Sequence, residues 1–198
     1  MTTHAAGRPA TLADLLPRSR ARDVALVVGF ALLTALAAQV VIPLGFTPVP
    51  ITGTTFAVLL SGAVLGARRG AAAQLLYVGL GAIGLPFYAE ASGGWEVATG
   101  ATGGYIVGFV VAAWVVGALA DKGQDRSITT AIPAFLAGTI VIYALGAAWL
   151  AVHLGVPLTA AVGEPSAVAL GITPFLVGDV LKAVLAGVLL PLGWRLAR

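Results

Sequence analysis

Residues 104–120 read Gly-Tyr-Ile-Val-Gly-Phe-Val-Val-Ala-Ala-Trp-Val-Val-Gly-Ala-Leu-Ala and carry no charged side chain. The hydrocarbon core of a bilayer is about 30 Å thick, and a helix of about 20 apolar residues crosses it. Comparable apolar stretches recur along the chain, near residues 24–43, 51–67, 70–87, 130–152 and 171–194. The sequence therefore predicts an all-α membrane protein, built as a bundle of six transmembrane helices.

The composition of the 198-residue chain indicates the same class. Hydrophobic residues make up 59% of it and charged residues 10%, whereas soluble domains have about 45–50% and about 25%. These values exclude a soluble enzyme and a nucleic-acid-binding domain. The chain has no cysteine and no G-x-x-x-x-G-K-[ST] motif, so the sequence provides neither thiol chemistry nor an ATP-binding loop of its own. We expect no enzymatic activity, no cofactor and no metal site.

Positive charges indicate how the bundle is oriented. If the N-terminus is cytoplasmic, ten of the 11 Lys and Arg residues fall in segments on the inner side, and Lys182 lies within the last span. The outer connections hold no cation; they lie near 44–50, 88–103 and 153–170. This distribution follows the positive-inside rule, so we expect both termini in the cytoplasm. Residues 1–23 then form a cytoplasmic tail, and 24–198 form a multi-pass domain in the cell's inner (plasma) membrane.

The last apolar stretch contains two opposite charges, Asp179 and Lys182. Each charge near the centre of a transmembrane helix costs about 2.5–3.5 kcal/mol on insertion scales. Residues three apart share one helical face, so these two can pair with each other or meet one ligand together. One interpretation is a structural ion pair inside the bundle. The other, which we favour, is a ligand site, for a small polar molecule with hydrogen-bond donors and an acidic end.

The stretch 85–105, between the third and fourth spans, is rich in aromatic residues, glycine, serine and threonine. Rings in such a segment can stack on an apolar ring of a ligand, and backbone amides beside glycines can donate hydrogen bonds to it. An aromatic belt at the membrane interface with ordinary turn glycines gives the same pattern. The residues alone leave both interpretations open.

Small residues also recur on the first span, where Ala31, Ala35 and Ala38 form a stripe. In lipid, small residues let helix backbones approach each other closely. The stripe can therefore pack inside the bundle or face a partner protein in the membrane, and the sequence is compatible with both.

Four motifs occur in order along the chain: Pro48-Val-Pro-Ile-Thr52, Leu76-Tyr-x-Gly-Leu-Gly-Ala-Ile-Gly-Leu-Pro86, Thr102-Gly-Gly-Tyr105-Ile-Val-Gly-Phe109 and Gly178-Asp179-x-Leu-Lys182-Ala. Together they resemble the BioY family, the biotin-binding S components of energy-coupling factor (ECF) transporters. The resemblance runs from about Val24 to Trp194. It implies a six-helix bundle that captures biotin with high affinity from the outer face for uptake.

The resemblance also implies roles for individual residues. Asp179 would accept a hydrogen bond from the ureido N–H of biotin, and Lys182 would meet either the ureido oxygen or the carboxylate. The remaining implied pocket residues are Gly103, Gly104 and Tyr105 in the wall and Phe87 and Trp95 as stacking groups.

The partners that the resemblance implies are a transmembrane T component and two ATPase subunits. This agrees with the absence of an ATP-binding loop in the sequence. Coupling to the T component would use the small residues Ala31, Ala35 and Ala38 of the first helix.

The sequence is compatible with two alternatives. One is an S component for another vitamin, although Lys182 disfavours a cationic ligand such as thiamin, and a neutral flavin such as riboflavin leaves the charged pair unexplained. The other is a proton-coupled permease, although the spans offer no second carboxylate for a proton relay.

Overall fold

The structure is a computed structural model that describes residues 10–196. Residues 1–9 of the predicted tail lie outside the described range, as do 197–198. The elements follow in the order α1 (Arg20–Ala37), β1 (Val41–Ile42), β2 (Ile51–Thr52), α2 (Thr54–Leu65), α3 (Ala67–Ala82), α4 (Trp95–Ala98), α5 (Gly103–Ala120), α6 (Ile128–Leu154), α7 (Ala167–Gly171) and α8 (Leu176–Leu196). Each predicted apolar stretch is mainly helical, so the all-α fold is confirmed.

Three segments in the described part of the chain are long and apolar enough to cross a membrane: Gly103–Ala120, Ile128–Leu154 and Ala167–Leu196. The helix α2 is apolar but has only 12 residues, and α1 carries three charged residues near its start. The chain is thus a membrane protein. The count of six transmembrane helices and the cytoplasmic position of both termini stay predictions.

Helix α5 lies at the centre of the bundle and packs against α2, α3 and α6. Its contacts depend on glycine. A Cβ atom on Gly62 of α2 would overlap the backbone of Ala113, and one on Gly117 would overlap the start of α3 at Ala67. Because glycine has only hydrogen there, the helix backbones meet directly, as is common for helices in lipid.

The small residues of α1 pack inside the bundle. Ala31, Ala35 and Ala38 are 1%, 7% and 1% exposed, because α1 lies on α2 and α3 and only short side chains fit between such close backbones. This corrects the alternative in which the stripe faces a partner protein. The exposed face of α1 instead presents larger apolar residues, among them Val28, Leu32 and Leu36.

The described part of the predicted tail lies against the bundle rather than apart from it. A 3₁₀ turn at Leu12–Leu15 follows the buried Thr11 and buries Ala13. The guanidinium of Arg69, in the first turn of α3, donates to Asp14 at 2.8 Å and to Asp23 at 3.1 Å. Burial acts to raise the pKa of Asp14, but the hydrogen bond and charge of Arg69 outweigh it and lower that pKa.

The last predicted span, 171–194, is interrupted near its start. Helix α7 ends at Gly171, a 3₁₀ turn covers Thr173–Phe175, and α8 begins at Leu176. The break lies at Ile172, whose φ and ψ angles of −125° and −57° are not helical, and Pro174, which lacks an N–H donor, cannot continue the hydrogen bonds of α7. The interruption places Asp179 in the first turn of α8.

At the opposite end of the bundle, two carboxylates of the α5–α6 connection bind other elements. Asp121 accepts a hydrogen bond from the first amide of α3, at Ala67, over 3.2 Å. Asp125 accepts one from the indole of Trp194 in α8 over 2.6 Å. Burial raises the pKa of Asp125, and the bond from Trp194 opposes that rise.

Candidate ligand-binding site

A cavity lies at the end of the bundle formed by the α1–α2 and α3–α5 connections. Its wall combines these two connections with the start of α2 and the inward faces of α3, α5, α6 and α8. The lining residues are Val49, Pro50, Thr52, Thr54, Thr55, Tyr77, Tyr88, Ala89, Ser92, Val97, Thr102, Tyr105, Ile106, Phe109, Ile142, Tyr143, Phe175, Asp179 and Lys182. Twelve of these 19 residues are apolar or aromatic, and the other seven are polar or charged, a mixture that suits a small-molecule site.

Asp179 and Lys182 form the charged part of this wall. The Lys182 Nζ lies 2.7 Å from Asp179 Oδ1 and donates a second hydrogen bond, over 2.8 Å, to the carbonyl of Thr52. The hydroxyl of Tyr143 on α6 donates to Asp179 Oδ2 over 2.7 Å. The Asp179 side chain is 7% exposed and that of Lys182 18%. The pair is therefore held from three directions: α6, α8 and the end of the β1–β2 hairpin.

Local structure explains why a carboxylate is tolerated here. Asp179 lies in the first turn of α8, where the N-terminal end of the helix dipole favours negative charge. The spacing of three residues places Lys182 on the same face, one turn further along. The β1–β2 hairpin pairs Val41 with Thr52 and so holds the Thr52 carbonyl at the lysine.

The charged pair keeps bonding capacity for a ligand. A carboxylate has about four acceptor positions, and a lysine ammonium has three N–H donors. The described residues occupy two acceptor positions of Asp179 and two donors of Lys182. A ligand that offers both a donor and an acceptor side by side can therefore bind both residues without disrupting the pair.

Aromatic rings form a cage in the rest of the wall, and Phe87 supports this cage from outside the lining residues. Tyr77 of α3 stacks on Phe87 with ring centroids 6.5 Å apart, and it meets Tyr88 edge-on at 5.7 Å and Phe109 at 6.4 Å. The hydroxyl of Tyr88 donates to the carbonyl of Val78 over 2.8 Å, and burial raises the pKa of that phenol. Such rings suit an apolar ring system of a ligand.

Tyr105 joins this cage to the interrupted last span. Its ring lines the cavity, and its hydroxyl donates to the carbonyl of Gly171 at the end of α7 over 2.8 Å. Because α7 and the following turn precede Asp179, this bond helps to fix where α8 begins.

The structure brings together three of the residues predicted from the sequence: Asp179, Lys182 and Tyr105. Gly103 and Gly104 do not line the cavity; an added Cβ atom on Gly104 would overlap Trp149 of α6, and one on Gly103 would overlap the Ala98 carbonyl and crowd Trp149. The sequence motif could not separate the helix-packing face of α5 from its cavity face. The two glycines are therefore packing residues, which corrects their assignment to the pocket wall.

The two predicted stacking groups also lie elsewhere. Phe87 is behind Tyr77 and supports it rather than lining the cavity. Trp95 is 71% exposed, at the first residue of the short helix α4, and does not line the cavity. Most of the rings that do line it come from α3, α5 and α6, and the other two are Tyr88 of the α3–α5 connection and Phe175 of the 3₁₀ turn.

Sequence reasoning missed Tyr143, the neutral partner of the charged pair. A signal was available, because Tyr143 lies in the middle of the apolar stretch 130–152, where a phenol hydroxyl needs a partner. It also missed the Thr52 carbonyl, which only the hairpin brings to Lys182. Within residues 10–196 the structure shows no cluster of His, Asp and Glu that could hold a metal ion.

Comparisons with known proteins agree with this architecture. The chain matches the BioY family over residues 8–198. The "Probable biotin transporter BioY" of Pyrococcus horikoshii is 40% identical, over 84% of this chain and 93% of its own length. The "Biotin transporter BioY" of Rhizobium etli is 39% identical over 85% and 90%, and that of Rhodobacter capsulatus is 41% identical over 84% and 90%.

A solved structure has a similar fold. The crystal structure of an S-component for biotin from an ECF-type ABC transporter matches with a TM-score of 0.76, over 88% of this chain and 93% of that chain, at 24% identity. The shared fold and the family match over nearly the whole sequence lead to one conclusion. This chain belongs to the BioY family.

Proposed function

We propose that this chain binds biotin in the cavity beside Asp179 and Lys182 and acts as the substrate-binding S component of an ECF-type transporter. The observation that carries the proposal is the opposed charged pair set in an aromatic cage. Relatives about 40% identical to this chain are named biotin transporters, which supports biotin as the ligand.

The two halves of biotin match the two parts of the cavity. The ureido group of biotin offers N–H donors next to a carbonyl acceptor, and its thiophane ring is apolar. Asp179 has acceptor positions for an N–H, and Lys182 has a donor for the carbonyl. The rings of Tyr77, Phe109 and Tyr143 would pack against the apolar ring.

The distance between Lys182 and Asp179 indicates which end of biotin contacts the charged pair. Lys182 Nζ is 2.7 Å from the Asp179 carboxylate, so a ligand carboxylate at Lys182 would lie close to a second negative charge. Like charges at such a distance repel strongly in a poorly solvated site. The neutral ureido group avoids this repulsion, and we therefore place the valerate tail away from the pair, toward the connecting segments.

Uptake would require partners. The sequence has no ATP-binding loop, so we propose that a transmembrane T component and ATPase subunits supply the energy, with the chain embedded in the plasma membrane. Because the α1 alanines are buried, contact with a T component would use other surfaces of the bundle.

A binding titration tests the ligand assignment. We expect Asp179→Asn to weaken biotin binding to the detergent-solubilised protein by about 10- to 150-fold, the effect of about 1.5–3 kcal/mol for a hydrogen bond to a charged group. The matched control is Glu164→Gln, the same carboxylate-to-amide change at an exposed loop residue outside the cavity lining. Equal affinity of Asp179→Asn and the parent protein would refute the site.

A panel of vitamins tests the choice of ligand. Thermal unfolding should shift upward with biotin and stay unchanged with thiamin and riboflavin, because a ligand that binds only the folded state stabilises it. Stabilisation by a flavin without stabilisation by biotin would overturn the proposal.

A further inference from the structure

The outer segment Tyr88–Ser92 has an unusual backbone. Glu90 and Ala91 have φ angles of 59° and 53°, and within residues 10–196 they are the only residues other than glycine with positive φ. A left-handed conformation is disfavoured for residues that carry a Cβ atom, whereas glycine adopts it readily. Two such residues in succession require support from their surroundings.

This segment is part of the cavity wall. Tyr88, Ala89 and Ser92 line the cavity, and two hydrogen bonds close the segment on itself. The amide of Tyr88 donates to the carbonyl of Ser92 over 2.9 Å, and the amide of Ser92 donates to the carbonyl of Ala89 over 3.2 Å. The left-handed pair makes the turn that allows this closure, so the shape of the wall depends on a disfavoured backbone.

The support comes from one side chain on a different element. Gln39, just after α1, donates through Nε2 to the carbonyl of Tyr88 over 3.1 Å. Its Oε1 accepts from the amide of Ala91 over 2.8 Å. A third bond, from Nε2 to the carbonyl of Ala35 over 2.8 Å, fixes the amide to the end of α1. The Gln39 amide thus holds this segment at the Tyr88 carbonyl, before the strained pair, and at the peptide that joins its two residues.

We propose that Gln39 is a positioning residue for the ligand cavity, which holds Tyr88–Ser92 in its left-handed turn and so slows ligand release. The proposal rests on the proposed function for the identity of the ligand. Gln39 does not line the cavity, and it acts through the segment that does.

This mechanism has a consequence that a general structural role does not share. If Gln39 is needed because Glu90 and Ala91 resist a positive φ, then glycine at position 91 relieves one of the two residues and should remove about half of the need for Gln39. Glycine adopts this conformation without support. A side chain that merely stabilised the fold would not be rescued in this way.

The first measurement is the dissociation rate of labelled biotin from the solubilised protein. We expect Gln39→Leu to release biotin about tenfold faster, equivalent to ~1.4 kcal/mol, the scale of one or two solvent-accessible hydrogen bonds. Adding Ala91→Gly to this variant should return the rate to within about threefold of the parent. The matched control adds Ala101→Gly, which has no positive φ to relieve, and should remain fast.

The second measurement needs no ligand. Hydrogen exchange at the amides of Tyr88 and Ser92, which do not bond to Gln39, should be faster in Gln39→Leu and slower again with Ala91→Gly. If Gln39→Leu changes neither exchange nor release by more than twofold, or if Ala91→Gly gives no rescue, the inference is wrong. Absence of biotin binding in the parent protein would instead refute the proposed function, while the exchange result would still decide the role of Gln39.

Discussion

Removing the cation of the charged pair should be more harmful than removing both charges. In Lys182→Met the aliphatic stem is retained and the ammonium is lost, so Asp179 loses its 2.7 Å ion pair. The Tyr143 hydroxyl would be its remaining partner among the contacts described above. A carboxylate that is 7% exposed is poorly solvated, and its charge then lacks compensation.

The structure sets the size of the effect. Removing one partner of a fully buried ion pair costs about 3–5 kcal/mol. The retained Tyr143 bond and the 18% exposure of Lys182 reduce this, and we expect a loss of about 2–3 kcal/mol in the free energy of unfolding. For a chain of this size that corresponds to a fall of about 4–12 °C in Tm. The double variant Asp179→Asn/Lys182→Met should recover to within about 1 kcal/mol of the parent, because no uncompensated charge remains.

The assay is thermal unfolding of the parent, both single variants and the double variant in one detergent without ligand. The recovery in the double variant is the decisive result, since it separates electrostatics from packing. Both Lys182→Met and the double variant should lose biotin binding. If the double variant is less stable than Lys182→Met alone, Asp179 and Lys182 do not stabilise each other as an ion pair.

Three further predictions concern other parts of the molecule. Tyr143→Phe removes one hydrogen bond to Asp179 and should weaken biotin binding about tenfold by calorimetry with an intact fold; affinity within twofold of the parent would contradict its role. Gly62→Val should lower stability by about 1–3 kcal/mol in thermal unfolding, whereas Gly29→Val, where an added Cβ meets nothing within 4 Å, should leave stability unchanged. The ion pair between Asp14 and Arg69 should be retained above about pH 4 and lost as the pH falls below the ordinary Asp14 pKa of 3.8 and through its lowered value. The reason is that the pair stabilises the folded protein only while the Asp14 carboxyl is ionised. Pepsin cleavage within residues 11–19 should therefore accelerate at low pH, and unchanged cleavage there would refute the contact.

Hydropathy predicted the long helices because helices surrounded by the lipid of a bilayer must be apolar. The charged pair could be found for the same reason, since Asp179 and Lys182 are conspicuous in an apolar segment. The spacing of three residues also predicted correctly that they meet. These features depend on local sequence and on the bilayer, and no knowledge of tertiary contacts is needed to recognise them.

The site predictions that were wrong concern residues whose role depends on which face of a helix contacts which neighbouring helix. Gly103 and Gly104 belong to the same motif as Tyr105. Successive residues of a helix are rotated by about 100°, so neighbours in the motif can face different directions, and only Tyr105 of these three lines the cavity. The burial of the α1 alanines could not be known before the position of α3 was known. Gln39 gave no signal in the sequence because its role depends on the backbone conformation of residues about fifty positions further on.

Different helices contribute the charged groups and the aromatic rings of the cavity. Its two charges come from α8 alone, while its rings come mainly from α3, α5 and α6. Ligand polarity and ligand shape are therefore encoded in separate stretches of the chain. A designer who wants this scaffold to carry a different cargo can alter the ring-bearing helices to change size and retain α8, or recode a single turn of α8 to change polarity and retain the rings.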